Sequence, residues 1–410
     1  MSKLALHGGD PAGEALEVPN WPQSTEQSKA NVLDAVESGA WCRSYDDAEW
    51  VDRFEESFGA YHDATHAIGV ANGTVAIELA LRMLDVQPGD EVLVPPYTFI
   101  ATASAVTSVG AVPRFVDVDP RTYNVDADAI TDAITDRTVG VIGVHIAGYP
   151  MDFDALLPVV REHDLFLIED AAHAQGTEWN GRKVGAIGDV GTFSFQESKA
   201  LAGGEGGMVV TDDAVLADRG ELLCNIGRRS NSVYHHYELA SNCRMTEFQG
   251  AVLCAQLEKL PEENERRREN ERLLRSEIDA IDGIKTKPDD ERITARGYCL
   301  FDLQYDSDAF GGLSRDRFLE ALTAEQIPAS TGYAMPMYEQ PAFSRSRVAA
   351  LVPPEATVPR YRHLHLPGVE QVTRRNVSLT HTVLLTDETG IQSIGTAIRK
   401  IQSNVDSLLD

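Results

Sequence analysis

Residues 190–211 read VGTFSFQESKALAGGEGGMVVT, two apolar runs joined by a turn that is rich in glycine. Short runs of Val, Phe and Met bounded by glycine are typical of buried β-strands. The turn carries Lys199, one of only eight lysines among 410 residues. A buried lysine can act as a nucleophile or form a Schiff base, so this amine is a candidate for chemistry. A surface amine and a general base remain open alternatives.

Five similar apolar runs precede this stretch, at 67–71, 91–95, 113–118, 139–146 and 165–170. Amphipathic, helix-like segments separate the earlier runs, for example at 75–84 and Phe153–Glu162. Seven strands rich in Val and Ile, with helices between them, predict an α/β fold. Its sheet is expected to be mostly parallel, seven-stranded and buried on both faces. Ligands of such sheets bind beyond the strand ends, where loops enter helices.

The two ends of the chain differ from this middle part. Residues 1–60 are predicted to form an N-terminal arm, with helices at Glu26–Ser38 and 46–61. A large, ligand-binding domain is predicted over residues 61–260. Residues 261–410 are predicted to form a bridging helix and a smaller C-terminal α+β domain, because short strands and helices replace the earlier pattern.

The bridging helix is predicted from a long helical pattern over residues 245–281, which Pro261 is expected to interrupt. Its second half, EENERRRENERLLRSEIDAI, is heavily charged. We interpret this half as a solvated helix surface. Its charges then need no binding partner.

The chain is strongly acidic, with a formal net charge of −28 and an isoelectric point of about 4.7. Such acidity argues against binding to nucleic acids or anionic membranes, because both rely on Lys and Arg. The acidic residues are spread along the chain, which favours a protein of a halophile over an ordinary acidic enzyme. No membrane-spanning apolar stretch and no signal peptide is found, so we expect a cytoplasmic protein. The five cysteines lack CxxC or Cys/His spacing and support neither disulfides nor a metal site.

The first candidate binding element is ANGT at residues 71–74, between an apolar run and a helical pattern. Gly73 allows the backbone to approach a ligand closely, and the N–H groups of the helix that begins near Thr74 can bind an anion. A phosphate could lie there. A plain strand–helix turn with Thr74 as its N-cap is the open alternative.

Four side chains at other strand ends suit a flat, charged ligand. Phe99 in PPYTFIAT could stack on a planar ring, although an aromatic side chain there is more often part of the core. Asp170 ends an apolar run, and a buried carboxylate needs a positive partner such as a protonated pyridine nitrogen. A solvated Asp170 is the alternative. His173 could hydrogen-bond a ring substituent, and Ser194, five residues before Lys199, adds a hydroxyl for a phosphate.

These elements fit one ligand together. A phosphate site, a stacking ring, a carboxylate for a pyridine nitrogen and a Schiff-base lysine are the parts that pyridoxal 5'-phosphate (PLP) requires. No histidine accompanies a Ser or Cys in a GxSxG context, which argues against a hydrolase triad. The residues therefore predict PLP as the cofactor.

Five motifs resemble the DegT/DnrJ/EryC1/StrS family of PLP-dependent sugar aminotransferases, which have fold type I. They are NGTVAIELAL, PPYTFIATASAV, FVDVDPRTYN, IEDAAHAQG and SFQESKALAGGEGGMVVTDD. The resemblance extends over roughly residues 20 to 400. It implies an enzyme that transfers amino groups.

The resemblance also implies roles for the matching residues. Lys199 takes the place of the lysine that binds PLP as an imine. Asp170 takes the place of the carboxylate that pairs with the pyridine nitrogen. His173 would lie near the ring hydroxyl, and Phe99 would stack on the ring. The implied phosphate contacts are Gly73, Thr74 and Ser194.

The segment SNCRMTEFQGA at 241–251 resembles the family's loop that reaches into the site of the neighbouring subunit. Asn242 would then touch the partner's cofactor phosphate. Arg244 would lie near cofactor or substrate anions, which suits its fork of donors. A homodimer with shared active sites is therefore expected. Ala240 and Ser241 replace the family's Gly–aromatic pair, which leaves the shape of the loop open.

Two further motifs, SGAWCR at 38–43 and GYAMPMYEQPAF at 332–343, resemble the members that aminate keto-cyclitols, the glutamine:scyllo-inosose aminotransferases. The ILG(P) pattern of nucleotide-sugar members is not found. Tyr333 is a candidate substrate contact. LTHTVLL at 379–385 matches the family only in part, so His381 is not among the candidate substrate contacts.

The expected reaction moves an amino group from glutamine or glutamate to a keto-cyclitol or keto-sugar. The alternatives are a nucleotide-sugar aminotransferase, a sugar 3-dehydratase of the same fold and a non-catalytic regulatory protein. Lys199 argues against the dehydratase, because such relatives carry histidine there. The complete set of Lys199, Asp170 and Ser194 argues against a protein that only binds.

Overall fold

A computed structural model of the protein describes residues 3–43, 48–229 and 234–409. Within these ranges the α-helices are α1 Glu26–Ser38, α2 Trp50–Tyr61, α3 Gly73–Met83, α4 Ala101–Ser108, α5 Ala127–Ala133, α6 Phe153–Glu162, α7 Ala214–Cys224, α8 Glu247–Ile278, α9 Arg315–Ala324, α10 Arg345–Ala349, α11 Pro367–Arg375 and α12 Glu388–Ser403. The strands are β1 His66–Val70, β2 Glu91–Val94, β3 Val112–Phe115, β4 Thr138–Val144, β5 Phe166–Asp170, β6 Glu178–Trp179, β7 Arg182–Lys183, β8 Val190–Ser194, β9 Gly207–Thr211, β10 Ile284–Thr286, β11 Ile293–Ala295, β12 Leu300–Tyr305, β13 Ala329–Ser330 and β14 Asn376–Thr380.

The largest sheet has seven strands in the order β1-β9-β8-β5-β4-β2-β3. Neighbouring strands run parallel except at β9, which is antiparallel to both β1 and β8. Successive side chains of a strand point to opposite faces. In β5, Leu167 therefore belongs to one buried apolar cluster and Ile168 to the other. The predicted mostly parallel sheet, with seven strands and two buried faces, is confirmed.

The glycine-rich turn between β8 and β9 returns the chain into the same sheet. The Phe195 N–H donates to the Gly206 carbonyl at 2.8 Å, and the Glu197 N–H to the Gly204 carbonyl at 3.0 Å. Gly204 has a φ of 80° and Gly206 a φ of 155°, conformations that side chains with a Cβ rarely adopt. The turn thus presents Lys199 at the edge of the sheet where β1, β4, β5 and β8 end.

A second sheet, in the C-terminal part of the chain, is antiparallel and has the order β10-β12-β14-β13. It packs with α9 and α12 around its own apolar cluster. Leu4, from the N-terminal segment, is 1% exposed and belongs to this cluster. The division of the chain at residues 60 and 260 into an arm, a large domain and a small domain stays a prediction.

The expected N-terminal helices agree closely with α1 and α2. The helix expected at 46–61 begins at Trp50, and residues 44–47 lie outside the described residues. The α1 helix begins with a capping box, in which Thr25 and Ser28 exchange side-chain and backbone hydrogen bonds. Among the helices of the described ranges, none is long and apolar enough to cross a membrane.

The α8 helix corrects two expectations. It continues through Pro261 as one helix of 32 residues, because packing against α1, α2 and α12 offsets the roughly 3 kcal/mol that an internal proline costs. Its charged second half is not solvated throughout, since Arg267 is 0% and Glu271 7% exposed. Arg267 pairs with Glu263 at 3.1 Å and Glu271 with Arg296 at 2.6 Å. A buried charge needs such a partner.

A buried histidine in the aromatic cluster beside the sheet links stability to pH. The ring centroid of His62 lies 4.5 Å from those of both Phe58 and Phe193. Its Nδ1 donates to the Val184 carbonyl at 3.2 Å, whereas Nε2 is buried with no hydrogen-bond partner among the described residues. Burial lowers the pKa of His62 to about 3.

Replacing His62 by Phe is expected to reduce the loss of stability that the protein shows as the pH falls below neutral. In the unfolded chain, His62 takes up a proton below pH ~6.5, and this protonation favours the unfolded state. The stability that comes from keeping His62 neutral is therefore fully present above that pH. It is lost as the pH falls toward the folded pKa of about 3. The drop in unfolding temperature from pH 7 to pH 5 should therefore be smaller in His62→Phe than in wild type. Exposed His163, changed to Gln, is the control, and equal drops in both variants would contradict the assignment.

Candidate functional site

A cavity of about 780 Å³ opens at the carboxyl ends of the central strands. Loops that are distant in sequence meet at this edge because parallel strands end at the same edge of a sheet. Asn242 and Arg244 do not line the cavity. The other eight residues predicted for the site do line it, namely Gly73, Thr74, Phe99, Asp170, His173, Ser194, Lys199 and Tyr333.

The N-terminus of α3 forms one wall of this cavity. Its N-cap is Asn72, whose Oδ1 accepts from the Val75 N–H at 3.0 Å, so the alternative with Thr74 as the cap is wrong. A Cβ on Gly73 would lie only 2.7 Å from the Cβ of Ser194, which explains glycine at this position. The N–H groups of a first helical turn have no partners within the helix. The turn and the Ser194 hydroxyl therefore offer donors to an anion.

Asp170, the last residue of β5, is 5% exposed. Its Oδ2 accepts from the Thr102 hydroxyl at 2.8 Å and its Oδ1 from the Ala172 N–H at 3.3 Å. Burial raises the pKa of this carboxyl above its usual value, although both hydrogen bonds act in the opposite direction. No basic side chain in the described ranges forms an ion pair with Asp170. A positive group in the cavity would supply the partner that the carboxylate lacks.

The turn that carries Lys199 is held by two distant parts of the chain. Trp21 Nε1 donates to the Lys199 carbonyl at 3.0 Å, and His381 Nε2 donates to the Ser198 carbonyl at 3.2 Å. The two rings meet edge to face with their centroids 4.8 Å apart. His381 is thus buried against the turn and does not line the cavity. Lys199 and Cys299 both line the cavity, and the Lys199 amine lies 4.0 Å from Sγ of Cys299.

His173 is 6% exposed, and one of its ring nitrogens already has a partner. Nδ1 accepts from the Ala147 N–H at 3.3 Å. A nitrogen that accepts carries no proton, so the proton of the neutral ring is on Nε2. Burial lowers the pKa of His173 well below its usual value, which keeps the ring neutral. Nε2 is the donor that remains for a ligand.

Two aromatic side chains border the cavity from other sides. Phe99 is 58% exposed and lines the cavity, which excludes the alternative of a core position. The Tyr333 ring packs edge to face on Tyr97, with a centroid distance of 5.3 Å. Burial raises the pKa of Tyr333, so its hydroxyl stays protonated near neutral pH.

Asn242 and Arg244 lie outside the cavity of their own chain. Arg244 Nη1 donates to Asn225 Oδ1 at 2.8 Å, and the Arg244 N–H donates to Asn242 Oδ1 at 3.3 Å. Asn242 is exposed. Their expected contact with a cofactor requires a second copy of the chain and stays a prediction.

Three residues of the site are missing from the sequence-based set. Thr102 follows Thr98 by four residues in PPYTFIAT, and their hydroxyls are 3.0 Å apart. Thr102 lies in the first turn of α4, shortly after β2 ends and in the same motif as Phe99, and this position is a signal that the sequence does contain. Cys299 and Trp21 lie in no motif that marks them.

The donors and charges of the cavity fit PLP. The N-terminus of α3 and the Ser194 hydroxyl suit a phosphate, and Asp170 lacks the cation that a protonated pyridine nitrogen would supply. Lys199 supplies an amine in the same cavity, and Phe99 an exposed ring for stacking.

Known proteins resemble the chain over nearly its whole length. The model of the DegT/DnrJ/EryC1/StrS aminotransferase family matches residues 22–385. The L-glutamine:2-deoxy-scyllo-inosose aminotransferase of Streptoalloteichus tenebrarius is 39% identical, with 97% of each chain covered. The L-glutamine:scyllo-inosose aminotransferase of Streptomyces griseus is 37% identical, with 98% of each covered. The crystal structure of 3-amino-5-hydroxybenzoic acid synthase has a TM-score of 0.85 at 34% identity, covering 95% of this chain and 100% of that chain.

Sequence similarity and the shared fold agree on one kind of enzyme, an aminotransferase that depends on PLP. The family model extends from the N-terminal segment through the Lys199 turn into the C-terminal sheet. The chain belongs to the DegT/DnrJ/EryC1/StrS aminotransferase family.

Proposed function

We propose that this enzyme moves an amino group from glutamine to a keto-cyclitol. Relatives that are 39% and 37% identical carry glutamine and a scyllo-inosose in their names. The charge of the cavity is the observation that supports a keto-cyclitol as the acceptor. Among the described residues that line it, Lys199 is the only Lys or Arg, whereas Asp170 and Glu205 are acidic. A cyclitol is an uncharged polyol, which such walls can bind through hydrogen bonds alone.

A nucleotide-linked keto-sugar fits the same cavity less well. Its diphosphate would call for Arg, Lys or a helix N-terminus. The N-terminus of α3 and Ser194 are needed for the cofactor phosphate, and Lys199 for the attachment of the cofactor. The charges of the cavity in a single chain therefore favour the cyclitol over the nucleotide sugar, and the proposed homodimer would add Arg244 to them.

PLP, when bound, supplies an electron-poor ring and a carbonyl carbon through which an amino group passes from donor to acceptor. Lys199 would hold the cofactor covalently and, once released, would move a proton between the substrate carbon that bears the amino group and the carbonyl carbon of the cofactor. Asp170 would keep the pyridine nitrogen protonated. His173 would donate from Nε2 to the ring hydroxyl, and Phe99 would stack on the ring. The proposed phosphate contacts are Gly73, Thr74 and Ser194.

A homodimer would complete this site. Asn242 is exposed and Arg244 lies beside it, so both are available to the cavity of a second copy. Tyr333 would contact the acceptor. The acidic surface fits a halophilic host, and a cytoplasmic location stays a prediction.

Half-reactions followed through the visible absorbance of the bound cofactor test the two substrates. The enzyme is treated with glutamine, and in a parallel sample with glutamate, until the absorbance of the PLP form is lost. Separate samples then receive scyllo-inosose, 2-deoxy-scyllo-inosose or a TDP-keto-sugar. We expect glutamine to remove the absorbance and the cyclitol ketones to restore it. Restoration by the TDP-keto-sugar alone would contradict the proposal.

Asp170→Asn tests the proposed carboxylate, because it keeps the shape of the side chain and removes its charge. A hydrogen bond to a charged group contributes roughly 1.5–3 kcal/mol, so kcat is expected to fall roughly 10- to 100-fold. Thr102→Val removes one hydrogen bond to the same carboxylate and should cost less than about tenfold. Steady-state kinetics measures both. An Asp170→Asn enzyme with the kcat of wild type would rule out the proposed role.

Gly73→Ala tests the proposed phosphate site. The added Cβ would lie 2.7 Å from the Cβ of Ser194, so the wall of the cavity must move. Titration of the cofactor-free protein with PLP should show a Kd at least roughly tenfold higher, equivalent to ~1.4 kcal/mol. Ala76→Gly, in the same helix but not lining the cavity, is the control for a general loss of stability. Equal PLP affinities of Gly73→Ala and wild type would argue against the site.

A further inference from the structure

A short backbone segment after β4 sets the environment of His173. Ala147 has a φ of 57° and a ψ of 25°, a left-handed conformation that is unfavourable for a residue with a Cβ. Such a conformation persists only where the surroundings hold it. The Ala147 N–H donates to Nδ1 of His173 at 3.3 Å.

Two buried basic side chains donate hydrogen bonds to the carbonyl groups of this segment. Lys287 Nζ donates to the Ile146 carbonyl at 3.4 Å and to the Thr122 carbonyl at 2.7 Å. Arg296 Nη2 donates to the Ala147 carbonyl at 3.2 Å. Lys287 is 4% and Arg296 8% exposed, so both groups are withdrawn from water, and this burial lowers the pKa of Lys287 to about 7.

Burying these two basic groups costs free energy, so we expect them to have a role that offsets this cost. Lys287 has Asp302 as its ion-pair partner, 3.6 Å away, and Arg296 has Glu271 at 2.6 Å. Replacing a buried ion pair by apolar side chains of similar volume often leaves stability unchanged or raises it. Stability alone thus does not explain why charged groups lie against the 146–148 backbone. Their hydrogen bonds to its carbonyl groups do.

Peptide planarity connects the Lys287 contact to His173. The Ile146 carbonyl and the Ala147 N–H belong to the same planar, trans peptide group and point in opposite directions. A cation that fixes the carbonyl therefore also fixes the direction of the N–H. Arg296 holds the next peptide group, whose Gly148 N–H donates to the His145 carbonyl at 3.1 Å.

We propose that Lys287 and Arg296 are positioning residues, which hold the Ala147 N–H on Nδ1 of His173 and so keep the ring proton on Nε2. Without them the peptide group can turn, and the neutral ring can carry its proton on either nitrogen. Only the tautomer protonated at Nε2 can donate from that nitrogen to a ring substituent of the cofactor. This consequence for the cofactor rests on the role proposed for His173.

The ring ¹⁵N chemical shifts of His173 in the full-length, cofactor-free protein test the inference, with His173→Gln used to assign the signals. Wild type is expected to show a protonated Nε2 and an unprotonated Nδ1. Arg296→Met should show a mixture of tautomers. So should Lys287→Met combined with Asp302→Asn, a double variant that leaves no unpaired charge behind. Exposed Lys285, changed to Met, is the matched control and should match wild type.

A titration with PLP supplies a second readout for the same variants. The Kd for PLP should rise roughly tenfold in Arg296→Met and in the double variant, because a hydrogen bond to the cofactor is weakened, and should stay unchanged in Lys285→Met. Weaker PLP binding with an unchanged tautomer would indicate a merely structural role and overturn the inference. A wild-type ring protonated at Nδ1 would overturn it as well.

The tautomer is measured without cofactor, donor or acceptor, so it is independent of the proposed reaction. Failure of the enzyme to aminate a keto-cyclitol would therefore remove the proposed function and leave the positioning role intact. The conservative variant Arg296→Lys keeps a buried cation near the Ala147 carbonyl. It should preserve more of the Nε2 tautomer than Arg296→Met, and equal tautomer ratios in the two variants would contradict the role of the cation.

Discussion

The site is arranged around Asp170, a buried carboxylate that forms no ion pair with any residue in the described part of the chain. Taking Asp170 out of water is costly, and a hydroxyl and a main-chain N–H offset only part of the cost. The sheet places this charge at the ends of its central strands, where the cavity opens. A ligand that brings a positive nitrogen recovers the remaining cost. Loading with the cofactor should therefore stabilise the folded chain as well as equip it for catalysis.

The sequence predicts those parts of the site that local pattern determines. Strand runs rich in Val and Ile place Asp170 and Ser194 at strand ends, and glycines mark the turn that carries Lys199. The sequence also contains the signal for the N-cap of α3, because Asn is a better cap than Thr and Asn72 immediately precedes Gly73. Contacts between distant segments leave no such pattern. The hydrogen bond from Trp21 to the Lys199 carbonyl joins residues that are 178 positions apart, and no spacing rule predicts it.

The long α8 helix shows why charge runs are difficult to interpret from sequence alone. Its Glu271 looks like any other residue of a solvated, charged helix face, yet it is 7% exposed. This carboxylate pairs with Arg296, which in turn holds the Ala147 carbonyl. A charge that the sequence pattern assigns to solvent thus supports the backbone beside His173, a ring that lines the cavity. Burial of this kind depends on which elements pack on the helix, and the helix sequence does not contain that information.

The hydrogen bonds from Trp21 and His381 to the Lys199 turn have a consequence for the order of events during protein synthesis. Trp21 precedes Lys199 by 178 residues, whereas His381 follows Ser198 by 183 residues. The ribosome therefore makes Lys199 long before it makes the second residue that holds this turn. The seven-stranded sheet can begin to form in the meantime, because its last strand ends at Thr211. The Lys199 turn can reach its final geometry only after His381 has been made, so all strands of the large sheet are synthesised well before the turn is held from both sides.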